Sequence, residues 1–121
     1  MSKRILIVED QEDNRRIVRD LLTRAGYEMI EAVNGEEGVA MAQTERPDLI
    51  LMDIQLPGID GYEATRRIKG NPVLAHIPII AVTSYALSGD DVKALEAGCD
   101  AYVTKPFSPR LLLAKVREYL P

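Results

Sequence analysis

Glu9 and Asp10 follow the apolar run ILIV (5–8), and Asp53 follows LILM (49–52). Lys105 stands just beyond AYV (101–103), and IIAV (79–82) ends on the hydroxyl of Thr83. Carboxylates brought together repel one another, so they must protonate or share a cation. An oxygen-only donor set suits a hard ion, Mg²⁺ or Mn²⁺, that keeps waters and takes phosphate oxygens beside one or two carboxylates. Lys105 would add a positive charge and Thr83 a hydroxyl donor. Such a set can do phosphoryl chemistry: cation, ammonium and hydroxyl for three equatorial oxygens, and a carboxylate as nucleophile.

Those residues can meet only if the apolar runs are neighbouring strands. All four are short, rich in Ile, Val and Leu and apolar at consecutive positions, the pattern of strands covered on both faces. YEMIEA (27–32) is mixed in polarity and fits an edge strand. Helical patterns lie between. The first is expected from about Asn14 to Arg24, with Ile17, Val18, Leu21, Leu22 and Ala25 inward and Gly26 as its stop. Asn34 with Glu37 and Asp60 with Glu63 have capping-box spacing, and Ser88 can cap a fourth helix that Gly98 ends. Ser108–Pro109 opens a fifth, with Leu112, Val116, Tyr119 and Leu120 facing inward. Strand and helix alternate five times, which predicts a doubly wound α/β parallel sheet with helices on both faces. Its binding crevice would lie beyond the carboxyl ends of the strands, where Glu9, Asp10, Asp53, Thr83 and Lys105 fall.

Composition narrows the classes. The chain has 121 residues, 46% hydrophobic and 28% charged, which predicts one globular domain spanning 1–121 without an output domain. A net charge of -4 argues against a nucleic-acid surface. The apolar run at the N-terminus is too short for a signal peptide, and no run approaches the roughly 20 residues of a membrane span. With Cys99 as the one cysteine, a reducing, cytoplasmic setting is expected. Gly58 and Gly61 relax the backbone after Asp53, Pro57 stiffens the strand exit, and Pro106 restricts Lys105 and can take the cis form.

The chain resembles the response-regulator receiver domains of two-component signalling. The resemblance rests on VED (8–10), LMDIQLPGIDG (51–61), AVTSY (81–85) and YVTKPF (102–107), in that order, and it covers essentially the whole chain. It implies a CheY-like, flavodoxin-like (βα)5 fold; LAHIPIIAVT and the lack of an output domain are similar to stand-alone DivK-type members. It implies that Asp53 is the phospho-acceptor, that Glu9 and Asp10 are the acidic pair, and that Asp10, Asp53 and the Gln55 backbone carbonyl hold Mg²⁺. It further implies that Thr83 and Lys105 contact the phosphoryl group, that Tyr102 is an aromatic switch, and that Lys105–Pro106 is a cis peptide. Gln55 and Tyr85, each two residues past a site residue, are where side chains would set the lifetime of the phosphorylated form. The implied partners are a histidine kinase or histidine phosphotransfer protein, and a downstream protein on the face of the fourth helix, fifth strand and fifth helix.

Taken singly, each residue has a plainer reading. Asp53 could cap a loop, Glu9 and Asp10 could be solvated or cap the first helix (Asp13 or Asn14 would do so better), and Tyr102 could simply pack. Convergence of four strand ends favours the chemical reading. His76 has no clustered ligand, Cys99 reads as a small buried hydrophobe, and Arg15–Arg16 and Arg66–Arg67 read as solvated helix faces. The alternative function is a metal-dependent phosphohydrolase with an aspartyl nucleophile. Gln55 stands where such enzymes usually carry a second acid. A nucleotide-binding module is disfavoured because VEDQEDN offers no glycine-rich phosphate cradle, and DNA binding because no basic recognition helix is present.

Overall fold

The computed structural model describes residues 2–84, 90–106 and 108–121. Five strands, β1 (Arg4–Val8), β2 (Glu28–Ala32), β3 (Leu49–Asp53), β4 (Ile79–Thr83) and β5 (Ala101–Thr104), alternate with five helices. The helices are α1 (Glu12–Arg24), α2 (Gly35–Glu45), α3 (Gly61–Lys69), α4 (Asp90–Ala97) and α5 (Pro109–Tyr119). Every strand pairing is parallel, in the order β2-β1-β3-β4-β5. The expected doubly wound architecture is what forms, with the mixed-polarity β2 at an edge. The chain reverses its winding between β1 and β3, so the crevice opens beyond Val8 and Asp53.

Alternation along the strands sorts the core into two layers. Leu6, Val8, Ile50, Met52, Ile79 and Ala81 face the side covered by α2, α3 and α4, together with Ala64 and Ile68. Ile5, Ile7, Leu49, Leu51, Ile80 and Val82 face α1 and α5, meeting Val18, Leu22, Leu112 and Val116. Strands buried on both faces need apolar residues at consecutive positions, which explains why β3 and β4 read as unbroken runs.

Most helix ends follow the expected chemistry. Asn34 accepts from the Glu37 N–H at 2.7 Å, Asp60 from the Glu63 N–H at 2.9 Å, and Ser108 from the Leu111 N–H at 3.4 Å, with Pro109 in the first turn. Gly26 and Gly98 take positive φ where α1 and α4 stop. Four expectations need correction. Helix α1 starts at Glu12, with Gln11 as an N-cap whose side chain makes no capping bond, so neither Asp13 nor Asn14 caps it. Ile17 is 56% exposed, because the inner face of α1 centres on Val18 and Leu22 and one residue turns about 100° round the helix. Glu63 bonds Arg66 and Arg67 rather than closing a box with Asp60. Arg15 is not solvated, as described below. Ser88 lies outside the described residues, as do Tyr85, Ala86, Leu87 and Phe107.

Candidate functional site

The carboxyl ends of β1 and β3 deliver the acids. Glu9, directly after β1, is buried and its N–H donates to Ala32 O at 3.0 Å. Asp53 is the last residue of β3 and is also buried. It is held there by the turn beyond it. The Gly61 N–H donates to Ile54 O at 2.9 Å, and a Cβ on Gly61 would collide with the Asp53 carbonyl oxygen. Glycine is required here by this backbone approach. One carboxylate oxygen from each of Glu9, Asp10 and Asp53 lies within 4.8 Å of the others. Oxygens across an Mg²⁺ ion are about 4.2 Å apart at most, so two direct ligands and a third acting through water fit this spacing.

Lys105 arrives from the end of β5. Its backbone N–H donates to Thr83 O at 2.7 Å, and the Lys105–Pro106 peptide is cis. The ammonium donates to Glu9 Oε1 at 2.7 Å and to Asp53 Oδ2 at 3.4 Å, so one cation joins residues about a hundred positions apart in the chain. Thr83 is buried at the end of β4, one residue past Val82, the register partner of Asp53. Gln55 is exposed and its N–H donates to Asp53 Oδ1 at 3.2 Å. Tyr102 lies on the edge strand β5, opposite Ala81, and is 40% exposed. Tyr85 falls outside the described residues.

The electrostatics of the pair are unequal. Burial, then the adjacent Glu9, pushes the Asp53 carboxyl up to about 7, against the opposing pull of Lys105 and the Gln55 N–H. Burial also disfavours a charge on Glu9, but hydrogen bonds from Lys105 and the Gln11 N–H outweigh it and hold Glu9 below the usual carboxylate range. Lys105 is desolvated too, yet Glu9 and Asp53 raise its pKa. Below about pH 7 the two acids together hold one proton, kept towards Asp53. A cation would displace it.

Beside the acids lies a cavity of ≈ 440 Å³ between α1 and α5, walled by Ile7, Ile17, Leu51, Val82 and Leu112 and reached by Glu9, Asp53 and Lys105. His76 is exposed, and no metal-ligating cluster among the described residues includes it. Cys99 is buried and lies 3.6 Å from the Thr65 hydroxyl; burial raises its thiol pKa. Arg66 and Arg67 stay exposed as expected. Sequence reasoning missed Arg15, whose guanidinium reaches the Glu9 carbonyl and Glu31. The available signal was Arg15 and Arg19 on one helix face, opposite the lone mid-strand acid of MIEA.

Residues 5–117 match the family model described as the response regulator receiver domain. The chain is 46% identical over 120 residues to the polar-differentiation response regulator DivK of Brucella anthropi, covering 99% of this chain and 98% of that one. Among solved structures it resembles the CheY-like receiver domain protein of Methanospirillum hungatei JF-1, with TM-score 0.92, 38% identity, and coverage of 99% of this chain and 94% of that one. It also resembles the receiver domain of a sensor histidine kinase from Pseudomonas aeruginosa PAO1, solved with magnesium coordinated in its active-site cleft. That match has TM-score 0.93 and 37% identity, and covers 99% of this chain and 98% of that one. With strand order, acidic cluster and sequence in agreement, this chain belongs to the response regulator receiver domain family.

Proposed function

We propose that Asp53 accepts a phosphoryl group from a phosphohistidine of a histidine kinase or histidine phosphotransfer protein, and that the acylphosphate changes which protein this domain binds. The observation that carries the reading is the convergence of Glu9, Asp10, Asp53 and Lys105 at the switch point of the sheet. A carboxylate oxygen of ionised Asp53 attacks phosphorus in line, the P–N bond breaks, and the departing imidazole nitrogen keeps the electron pair and takes up a proton. The domain does no other chemistry in this scheme than its own phosphorylation and dephosphorylation.

The donor set fits Mg²⁺, or Mn²⁺ in its place. Asp10, Asp53 and the Gln55 carbonyl would hold the ion, with Glu9 acting through water, and it would neutralise charge on the phosphoryl oxygens. Lys105 would move from its carboxylate partners to a phosphoryl oxygen, and the Thr83 hydroxyl would meet another. Adding about 1.5 to 2 negative charges beside β4 and β5 gives the reason for a surface change, with Tyr102 turning inward as Thr83 shifts. Val92 and Leu95 on α4, Tyr102 on β5 and Leu111 on α5 are exposed, which supports a protein-binding role for that face. Gln55 and Tyr85 would screen the acylphosphate from water. No helix among the described residues is long and apolar enough to cross a membrane, and we place the domain in the cytoplasm, where kinases and phosphotransfer proteins present their phosphohistidines.

The test is intact mass after incubation with acetyl phosphate and Mg²⁺. Wild type should gain one phosphoryl group, and Asp53→Asn should gain none. An unmodified wild type, or an equally modified Asp53→Asn, would overturn the proposal.

A further inference from the structure

We propose that Arg15 is a positioning residue for this site, strapping the β1–α1 loop to the end of β2 so that Glu9 and Asp10 are presented to the cation. The inference rests on the functional reading above. Arg15 Nη1 donates to the Glu9 backbone carbonyl at 2.8 Å and Nε donates to Glu31 Oε1 at 3.3 Å, with its side chain only 13% exposed. Glu31 is held in turn by Arg19 Nη1 at 3.1 Å. On its other side, the Glu9 N–H donates to Ala32 O at 3.0 Å, and Glu9 Oε2 accepts from the Gln11 N–H at 3.1 Å.

Both backbone polar groups of Glu9 are therefore anchored to the last two residues of β2, Ala32 directly and Glu31 through the guanidinium. The Arg15 N–H also donates to the Gln11 carbonyl at 3.0 Å, so the side chain and the first helical turn close residues 9–11 into one fixed unit. A rigid planar fork can serve a carbonyl and a carboxylate in two directions at once; a lysine ammonium offers a single point of charge. Arg15 itself touches none of the reacting atoms. It acts through Glu9, whose carboxylate accepts from Lys105, and through Asp10, the next residue in the same unit. Groups that orient metal ligands in this way affect metal affinity when removed.

The experiment compares Mg²⁺ affinity by calorimetry for wild type, Arg15→Met, Arg15→Lys and, as a control, Arg16→Met, with thermal unfolding in chelator measured alongside. Arg16 is exposed and, among the described residues, pairs with Asp13 alone, so its loss should leave Mg²⁺ affinity unchanged. Arg15→Met should weaken Mg²⁺ on the order of tenfold, with Arg15→Lys between it and wild type. Raising Mg²⁺ to saturation should restore the phosphorylation rate of Arg15→Met. Unchanged or tighter Mg²⁺ binding in folded Arg15→Met, with only a lowered unfolding temperature, would make Arg15 merely structural and overturn the inference. If Arg15→Met does not fold, Glu31→Gln replaces it: a several-fold weaker affinity supports the strap and an unchanged one overturns it. A wild type that binds Mg²⁺ but accepts no phosphoryl group would sink the functional reading alone. A wild type that binds no Mg²⁺ would sink both.

Discussion

Two demands conflict at Asp53 in the proposed reaction: the attacking carboxylate must be ionised, yet burial beside Glu9 holds the carboxyl up to about 7. That conflict has a cost in stability with a definite sign. Between its ordinary value of 3.8 and about 7, the folded protein keeps a proton on Asp53 that the unfolded chain has released. Fewer protons are bound in the unfolded state, so this group makes stability fall as pH rises through that window. Glu9, shifted the other way, contributes stability that is lost only as pH falls below the usual carboxylate range. Asparagine at position 53 keeps the shape and removes the titration. Urea unfolding without Mg²⁺ should therefore find Asp53→Asn more stable than wild type at pH 8, by about 2 kcal/mol more than at pH 5. A stability difference that does not change with pH would show that Asp53 ionises as freely as a surface carboxyl.

Between residue and fold stands the β3–α3 turn, which sets where Asp53 points. The space for a Gly61 side chain is taken by the Asp53 carbonyl and by Ile54 Cα, both backbone atoms that cannot swing aside. Gly61→Ala should lower stability by about 2 to 4 kcal/mol in urea unfolding. It should also slow phosphorylation more than Gly58→Ala does: alanine at Gly58 strains the backbone at φ 76°, but the atoms facing it belong to the flexible end of Glu36 and not to Asp53. Equal effects of the two substitutions would mean that the close approach does not constrain Asp53. This turn, the buried strands and most helix caps were legible in the sequence because each is a local signal: LMDIQLPGIDG, unbroken apolar runs, Asn34 and Asp60 ahead of glutamates. Arg15, Ile17 and the start of α1 were not. The exposure of a helical side chain depends on which residue centres the inner face, and that is set by packing on β1, β2 and α5, not by the apolar stripe from Ile17 to Ala25. Arg15 likewise looks like its neighbour Arg16 until β2 brings Glu31 beneath it.

For the molecule as a whole, strand ends of a single sheet bring three carboxylates together, so the fold itself carries their repulsion and a bound cation relieves it. Any ligand of the folded state alone stabilises by RT ln(1 + [L]/Kd). Mg²⁺ competes with the Asp53 proton, so its apparent affinity should fall about tenfold from pH 8 to pH 6, given a carboxyl that titrates at about 7. Tenfold is worth about 1.4 kcal/mol. In a chain of 121 residues that amounts to roughly 3 to 6 °C in the unfolding midpoint. At one fixed Mg²⁺ concentration well above Kd at both pH values, the midpoint gained over chelator should be larger at pH 8 than at pH 6 by that amount. Asp53→Asn should lose most of the gain and all of its pH dependence, because Asp10 remains as a ligand, with Glu9 acting through water, but the competing proton is gone. An equal gain at both pH values in wild type would place the cation away from Asp53, and with it the proposed phosphoryl site.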